Sequence, residues 1–325
     1  MTTTSPSPTP AAVPGAELGP LVRADYRPGQ AHPLDREQVA AYVNDGFLVA
    51  PGLLSAQEIT AINAEIPLFA RGAYPAVNPQ DLPPQPDELD DAEAMNGLLA
   101  VHQPHWVNDT IRATVTHPVL GDVLGQLVGA HLPGWDGRVK CMQSMLFVKP
   151  PGLPGQAWHQ DEHYIPTRDR SLCGAWIALD DADVHNGCLW VVPGSHLRGY
   201  LYPTRAHGND EYDRAEEAFD NTDADLGSFD EHSPVPVAVR AGDVVFFNGY
   251  LLHKSLKNRS TTSYRRALVN HYANAWTTLP WDLAAGGGTT GPDDFRIVVP
   301  VTGLDPYAWK GYGHQPALVY IRPHT

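Results

Sequence analysis

Apolar and polar positions follow two different rhythms in this chain, and the change falls near Gly137. Before it the spacing is mostly helical. The stretch REQVAAYVNDGFLVAPGLLS, from Arg36, predicts a short helix, a turn at Asp45-Gly46 and an apolar strand over 47–49. Ser55 and Glu58 then form the S-x-x-E signature of a capping box, followed by Ile59, Ile62 and Ile66 at helical spacing. A helix beginning at Ala56 is expected, because the paired Ser and Glu side chains satisfy backbone donors that a helix start leaves orphaned. Two more helices are predicted over 108–115 and 119–128, and a Pro-rich acidic loop over 78–91. After Gly137 come short β-prone runs at 142–148, 174–179, 188–192, 235–239, 244–247 and 267–271, separated by Gly, Pro, Asn and Asp. Strands so spaced, with no helices between them, indicate a sandwich or barrel rather than a parallel α/β sheet.

Composition narrows the function. The chain has 325 residues, 42% of them hydrophobic, which is ordinary for a globular protein. Residues 1–20, rich in Ser, Thr, Pro and Ala, read as a disordered tail, and 21–325 as one domain. A net charge of −15 opposes binding to nucleic acid or an anionic membrane, since those partners are held by clustered Lys and Arg. The three cysteines form no CxxC pair, so neither a disulfide framework nor a Cys-type zinc site is expected. Nothing in the sequence resembles a signal peptide, and no run approaches the roughly 18 apolar residues of a spanning helix. These features lead us to expect a cytoplasmic protein. Residues 205–234 are strongly acidic and read either as a solvated surface insertion or as a lid over a site.

The candidate chemistry begins at Trp158-His159-Gln160-Asp161. On an extended chain, residues two apart share a face, so His159 and Asp161 can converge on one cation. Non-haem Fe(II) takes two His and one carboxylate on one face and keeps other positions open. His253, after the apolar run of AGDVVFFNGYLLHKS, is the candidate second histidine; alternatively it is a partly buried histidine near a strand end. Ser255 and the Tyr264-Arg265-Arg266 run follow. An arginine on the next strand suits a dicarboxylate co-substrate, because a guanidinium holds a carboxylate with two parallel hydrogen bonds.

With these elements in order, the chain resembles the phytanoyl-CoA dioxygenase family of Fe(II)- and 2-oxoglutarate-dependent oxygenases. The resemblance rests on MQSMLFVKPP, HQDEHYIP, AWIAL, NGCLWVVPGSH, AGDVVFFNGYLLHKS and YRRALVNHY, within roughly residues 36–276. It implies a mainly β fold with flanking helices, a double-stranded β-helix or cupin-like jelly-roll barrel. It also implies His159, Asp161 and His253 as iron ligands, and Met145, Gln160, Trp176, Ser255 and Arg265 as 2-oxoglutarate contacts. The chain carries one extra residue between His253 and the family's arginine, which leaves Arg265 or Arg266; counting back from Tyr272 favours Arg265. A lysine used by mammalian members is replaced, with His102 as the candidate substitute.

The expected activity is hydroxylation of an unactivated C–H bond of a small metabolite, with O2 and 2-oxoglutarate consumed and succinate and CO2 released. Related halogenases lack the carboxylate that Asp161 supplies, so Asp161 argues for oxygenation. Rival readings are an acyl-CoA hydroxylase, or a cupin-like metal-binding isomerase or non-catalytic barrel that would not need Arg265. Only five lysines are present, which disfavours CoA phosphates, and the acidic insertion would favour a neutral or cationic substrate. His163 shares parity with His159 and Asp161 and is a candidate for the substrate pocket. Pro193-Gly194-Ser195-His196 reads as a structural turn, and Trp176 alone would pass for a core residue.

Overall fold

The structure is a computed structural model that describes residues 33–76, 89–212, 222–226, 234–277, 298–308 and 319–323. The tail at 1–20 and most of the 78–91 loop lie outside the described residues. In the helical part, α1 (Arg36–Asp45) leads through Gly46 into β1 (Phe47–Ala50), followed by α2 (Ala56–Ala70) and α3 (Asp91–Met95). Both arms of the Ser55–Glu58 capping box are present. An N-cap of this kind is worth about 1 kcal/mol. Next come β2 (Leu98–His102), α4 (Asp109–Val115) and α5 (Pro118–Leu127).

The β part opens with β3 (Val139–Lys149), β4 (Cys173–Ala178) and β5 (Leu189–Val191), then β6 (Thr204–Ala206), β7 (Thr222–Ala224) and β8 (Val235–Val237). It continues with β9 (Val244–Asn248), β10 (His253–Ser255), β11 (Arg265–Asn274), β12 (Val299–Thr302) and β13 (Tyr320–Pro323). The major sheet runs in the order β1-β9-β4-β11-β3-β2-β13, with β12 also on β3. A minor sheet, β10-β5-β8, packs over it, and β6 pairs with β7. This is the mainly β jelly roll with flanking helices that the resemblance implied. Strands β2, β6, β7, β10, β12 and β13 and helix α3 are additions to the sequence-based expectation.

Alternation along the central strands divides the core in two. Leu146, Val148, Leu268, Ile177 and Phe246 point outward and pack under α2, α4 and α5. Their neighbours Trp176, Ala178, Val245, Phe247, Ala267 and Val269 point inward and meet Leu189, Val191 and Val237 of the minor sheet. Period-two alternation with both faces covered is what a sheet sandwiched between helices and a second sheet requires. The register then lines up one inward-facing set: Arg265 opposite Lys149, Ala267 opposite Phe147, Val269 opposite Met145 and His271 opposite Gln143.

Candidate metal and co-substrate site

His159 and His253 are brought together by a single antiparallel bridge between their backbones, with His159 N–H donating to the His253 carbonyl at 3.0 Å and the reverse bond at 3.1 Å. Their rings lie 4.0 Å apart. Gln160 is extended, but Asp161 opens a turn of 3-10 helix (Asp161–His163), so the expected continuous strand through this motif is not formed. The same-face rule therefore holds for His159 and Asp161 across Gln160 and stops there. His163, past the turn, is exposed and lies on the wall of the cavity.

Backbone carbonyls decide which ring nitrogens face the site. His159 Nδ1 lies 2.8 Å from the Ala157 carbonyl oxygen, and His253 Nδ1 lies 3.0 Å from that of Leu251. A carbonyl only accepts, so each Nδ1 carries the proton and each Nε2 lone pair is left for a metal. Those Nε2 atoms lie 3.5 and 3.6 Å from Asp161 Oδ1. The three ligand atoms fall within 4.8 Å of one another and all three residues are buried. Burial works against the Asp161 anion, yet His253, His271 and His159 around it outweigh that and hold its pKa below the usual carboxylate range. Burial, reinforced by His159, pushes the His253 pKa down to about 4 against the pull of Asp161. At neutral pH the group is thus an aspartate with a neutral His253, a donor set that fits Fe(II).

One contributor was not recognised in the sequence. His271 Nε2 stands 2.9 Å from Asp161 Oδ2 and fixes the carboxylate, leaving Oδ1 turned toward the histidines. Its signal was there in the parity of β11, since 265, 267, 269 and 271 share a face once Arg265 is placed inward.

The other end of the cavity is cationic. Arg265 is buried, its Nε–H donates to the Gly187 carbonyl at 3.1 Å, and its guanidinium lies 5.8 Å from the Trp176 ring centre. Gly187 has a φ of 88°, and a Cβ there would stand 2.5 Å from the Leu256 carbonyl oxygen, so only glycine suits this approach. Burial lowers the Arg265 pKa to about 10, which leaves it charged at neutral pH. Arg266 points outward and is held by Asp180 through bonds of 2.8 and 2.6 Å. Lys149, also missed as a site residue, donates to Ser255 Oγ and to the Leu256 carbonyl, both at 2.9 Å. Gln156 N–H donates to the same Ser255 oxygen at 3.2 Å. With both lone pairs of Ser255 Oγ engaged, its own hydrogen is the part left to donate into the cavity.

A cavity of about 410 Å³ joins the two ends. Met145, Trp176, Ser255, Arg265 and His102 line it, as do all three candidate ligands. Gln160 does not: its amide donates to the carbonyls of Tyr200 and Tyr250 and accepts from Tyr202 N–H, tying down the loop behind the histidines. Extended backbone at Gln160 turns its side chain away from those of His159 and Asp161. Gly194 takes a left-handed conformation in the 193–196 segment, where Ser195 Oγ accepts from Leu252 N–H, in keeping with a structural turn.

Fold and site together define a jelly-roll barrel with a buried His-Asp-His group that could hold a metal and, in the same cavity, a cationic end. The pattern of the Phytanoyl-CoA dioxygenase (PhyH) family matches residues 42–267, and the chain belongs to that family. It is 37% identical over 149 residues to phytanoyl-CoA dioxygenase 1 of Oryza sativa subsp. japonica, a match covering 44% of this chain and half the length of that relative. Against the peroxisomal phytanoyl-CoA dioxygenase of Rattus norvegicus it is 29% identical, covering 92% of this chain and 85% of the other. Among solved structures, the epimerase SnoN in complex with Fe3+, alpha ketoglutarate and nogalamycin RO is 25% identical, with a TM-score of 0.54 over 82% of this chain and 95% of that one.

Proposed function

We propose that this protein is an Fe(II)- and 2-oxoglutarate-dependent dioxygenase that hydroxylates an unactivated C–H bond of a small metabolite. The observation that carries the reading is one cavity with His159, Asp161 and His253 on its wall and Arg265, Lys149 and Ser255 beside them. Bound there, iron with 2-oxoglutarate and O2 supplies the oxidising equivalent and releases succinate and CO2. The chain's own part is placement. Arg265 and the Ser255 hydroxyl receive the far carboxylate of the co-substrate, with Lys149 holding the hydroxyl in position. His271 keeps Asp161 in place, and Phe247, whose ring packs 4.7 Å from that of His253, helps keep water from the ligands. Three buried free thiols suit a reducing compartment such as the cytoplasm, although the rat relative is named peroxisomal. Among the described residues no helix is long and apolar enough to cross a membrane.

The test is succinate release from 2-oxoglutarate by purified protein given Fe(II) and O2. We expect a slow rate without added substrate and a faster one with the right metabolite. Release that needs no Fe(II), or none at all under any condition, would leave a metal-binding barrel of another class. Acceleration by a fatty acyl-CoA and by no free metabolite would favour the acyl-CoA reading instead.

A further inference from the structure

Among the buried polar side chains that line the cavity, one stands without a partner. Gln143 is 8% exposed, and its carboxamide makes no hydrogen bond to any of the described residues. The other buried polar groups on the wall are engaged. Lys149 is held on Ser255, Arg265 on Gly187, and Asp161 on His271, while His159 and His253 bond backbone carbonyls. Arg322, on β13, also has its interaction within the protein. A buried amide with nothing to bond is costly, and folded proteins keep few of them. Its place in a cavity calls for a ligand.

Register gives that place. Gln143 on β3 stands opposite His271 on β11, and the same inward stripe runs through Met145 and Phe147 to Lys149 opposite Arg265. Six residues of β3 separate Gln143 from Lys149, about 20 Å at the usual strand rise. His271 holds Asp161, so Gln143 belongs to the metal end of the stripe and lies far from the Arg265 end. In the reading proposed above, 2-oxoglutarate runs from Arg265 to the metal with both carboxylates committed. The Gln143 amide is left for a different molecule.

Much of the remaining wall is apolar, with Leu99, Phe147, Ile165 and Val269. We infer that the primary substrate is an uncharged molecule with an apolar frame that presents an alcohol or a carboxamide to Gln143. The Gln143 side chain carries no charge and offers both a donor and an acceptor, so the matching group also does both. A carboxylate can only accept and an ammonium can only donate. Each also brings a charge whose lost hydration a neutral amide repays poorly. An ether has no donor, and leaves the Gln143 carbonyl oxygen unbonded.

This inference rests on the dioxygenase reading, and the experiment separates the two. Full-length protein with Fe(II) and 2-oxoglutarate is assayed for succinate release, first alone and then with phenylethanol, its methyl ether, phenylacetamide, phenylacetate and phenylethylamine, and with the corresponding hexyl compounds. Absence of succinate in every condition strikes at the dioxygenase reading. With succinate released, we expect an alcohol or an amide to accelerate it, with a half-saturation about tenfold or more below those of the matched ether, acid and amine. In Gln143→Met the advantage over the ether should fall close to one. In Gln143→Glu, which keeps the acceptor and adds a negative charge, the amine should overtake the alcohol. A merely structural glutamine would change neither ratio. The inference is overturned if no alcohol or amide accelerates release, if ether or acid does as well, or if folded Gln143→Met keeps the wild-type preference. A raised KM for 2-oxoglutarate in Gln143→Met with that preference intact would put Gln143 on the co-substrate and overturn it too. Should Gln143→Met fail to fold, the wild-type series and Gln143→Glu still decide the matter.

Discussion

At the residue scale, the adjacent arginines separate the site from the scaffold. Arg265 faces the cavity and Arg266 is paired bidentately with Asp180. We predict that Arg265→Ala raises the KM for 2-oxoglutarate by the loss of about 1.5–3 kcal/mol of charge-assisted bonding. Arg266→Ala should leave that KM nearly unchanged and lower the melting temperature, since it strands the half-buried Asp180; equal effects on KM would contradict the placement. His271→Phe removes the bond to Asp161 Oδ2 and should weaken Fe(II) or Mn(II) affinity 10- to 100-fold, the usual cost of losing an outer partner of a ligand, read by metal titration of the apo protein. The thiols give a further check. Burial pushes Cys141 and Cys173 up to about 12 and Cys188 up to about 11. All three should stay unreactive toward a thiol reagent at pH 8 in folded protein and react together on unfolding; fast labelling of one native thiol would contradict their burial.

At the element scale, the described parts of the acidic insertion are docked on the barrel. The β6–β7 pair is tied to it by Ala224 N–H, which donates to the Trp158 carbonyl at 2.8 Å, one residue before His159. Gly155 N–H donates to the Glu211 carbonyl at 2.7 Å, and Tyr212 meets Lys254 at the cavity wall. Ala224 and Leu226 are buried with Trp158, Tyr202 and Leu252. A segment seated there can shape the entrance. Joining β6 to β7 by a short Gly/Ser bridge in place of 207–221 should uncouple 2-oxoglutarate decay from product formation or raise the substrate KM, with Fe(II) affinity nearly kept. Full coupling and unchanged substrate kinetics would reduce the segment to surface decoration.

At the scale of the whole molecule, the site draws on both sheets and on the link between them. His253 and Ser255 come from the minor sheet, Lys149 and Arg265 from the major one, and His159 and Asp161 from the link between β3 and β4. Metal and co-substrate together should act as a cross-link. At a hundredfold excess over Kd a ligand adds about 2.7 kcal/mol, so Mn(II) with 2-oxoglutarate should raise the melting temperature by several degrees, reversed by a chelator. A midpoint unmoved by saturating ligands would show that the cavity does not hold them. Much of this architecture was legible beforehand, because its signals are local. The capping box at Ser55 and Glu58, the β-prone runs at 142–148 and 267–271 that form β3 and β11, and the two-residue spacing of His159 and Asp161 each depend on a few neighbouring residues. Tertiary structure alone decided which faces meet: Asp161 and His271 lie 110 residues apart in sequence, and Lys149 and Ser255 106 apart. A strand's period tells which of its residues share a side, but strand order and register determine whose side chains they oppose. For the same reason Arg322, on an unassigned strand near the chain's end, gained its place in the cavity only through β13 pairing with β2.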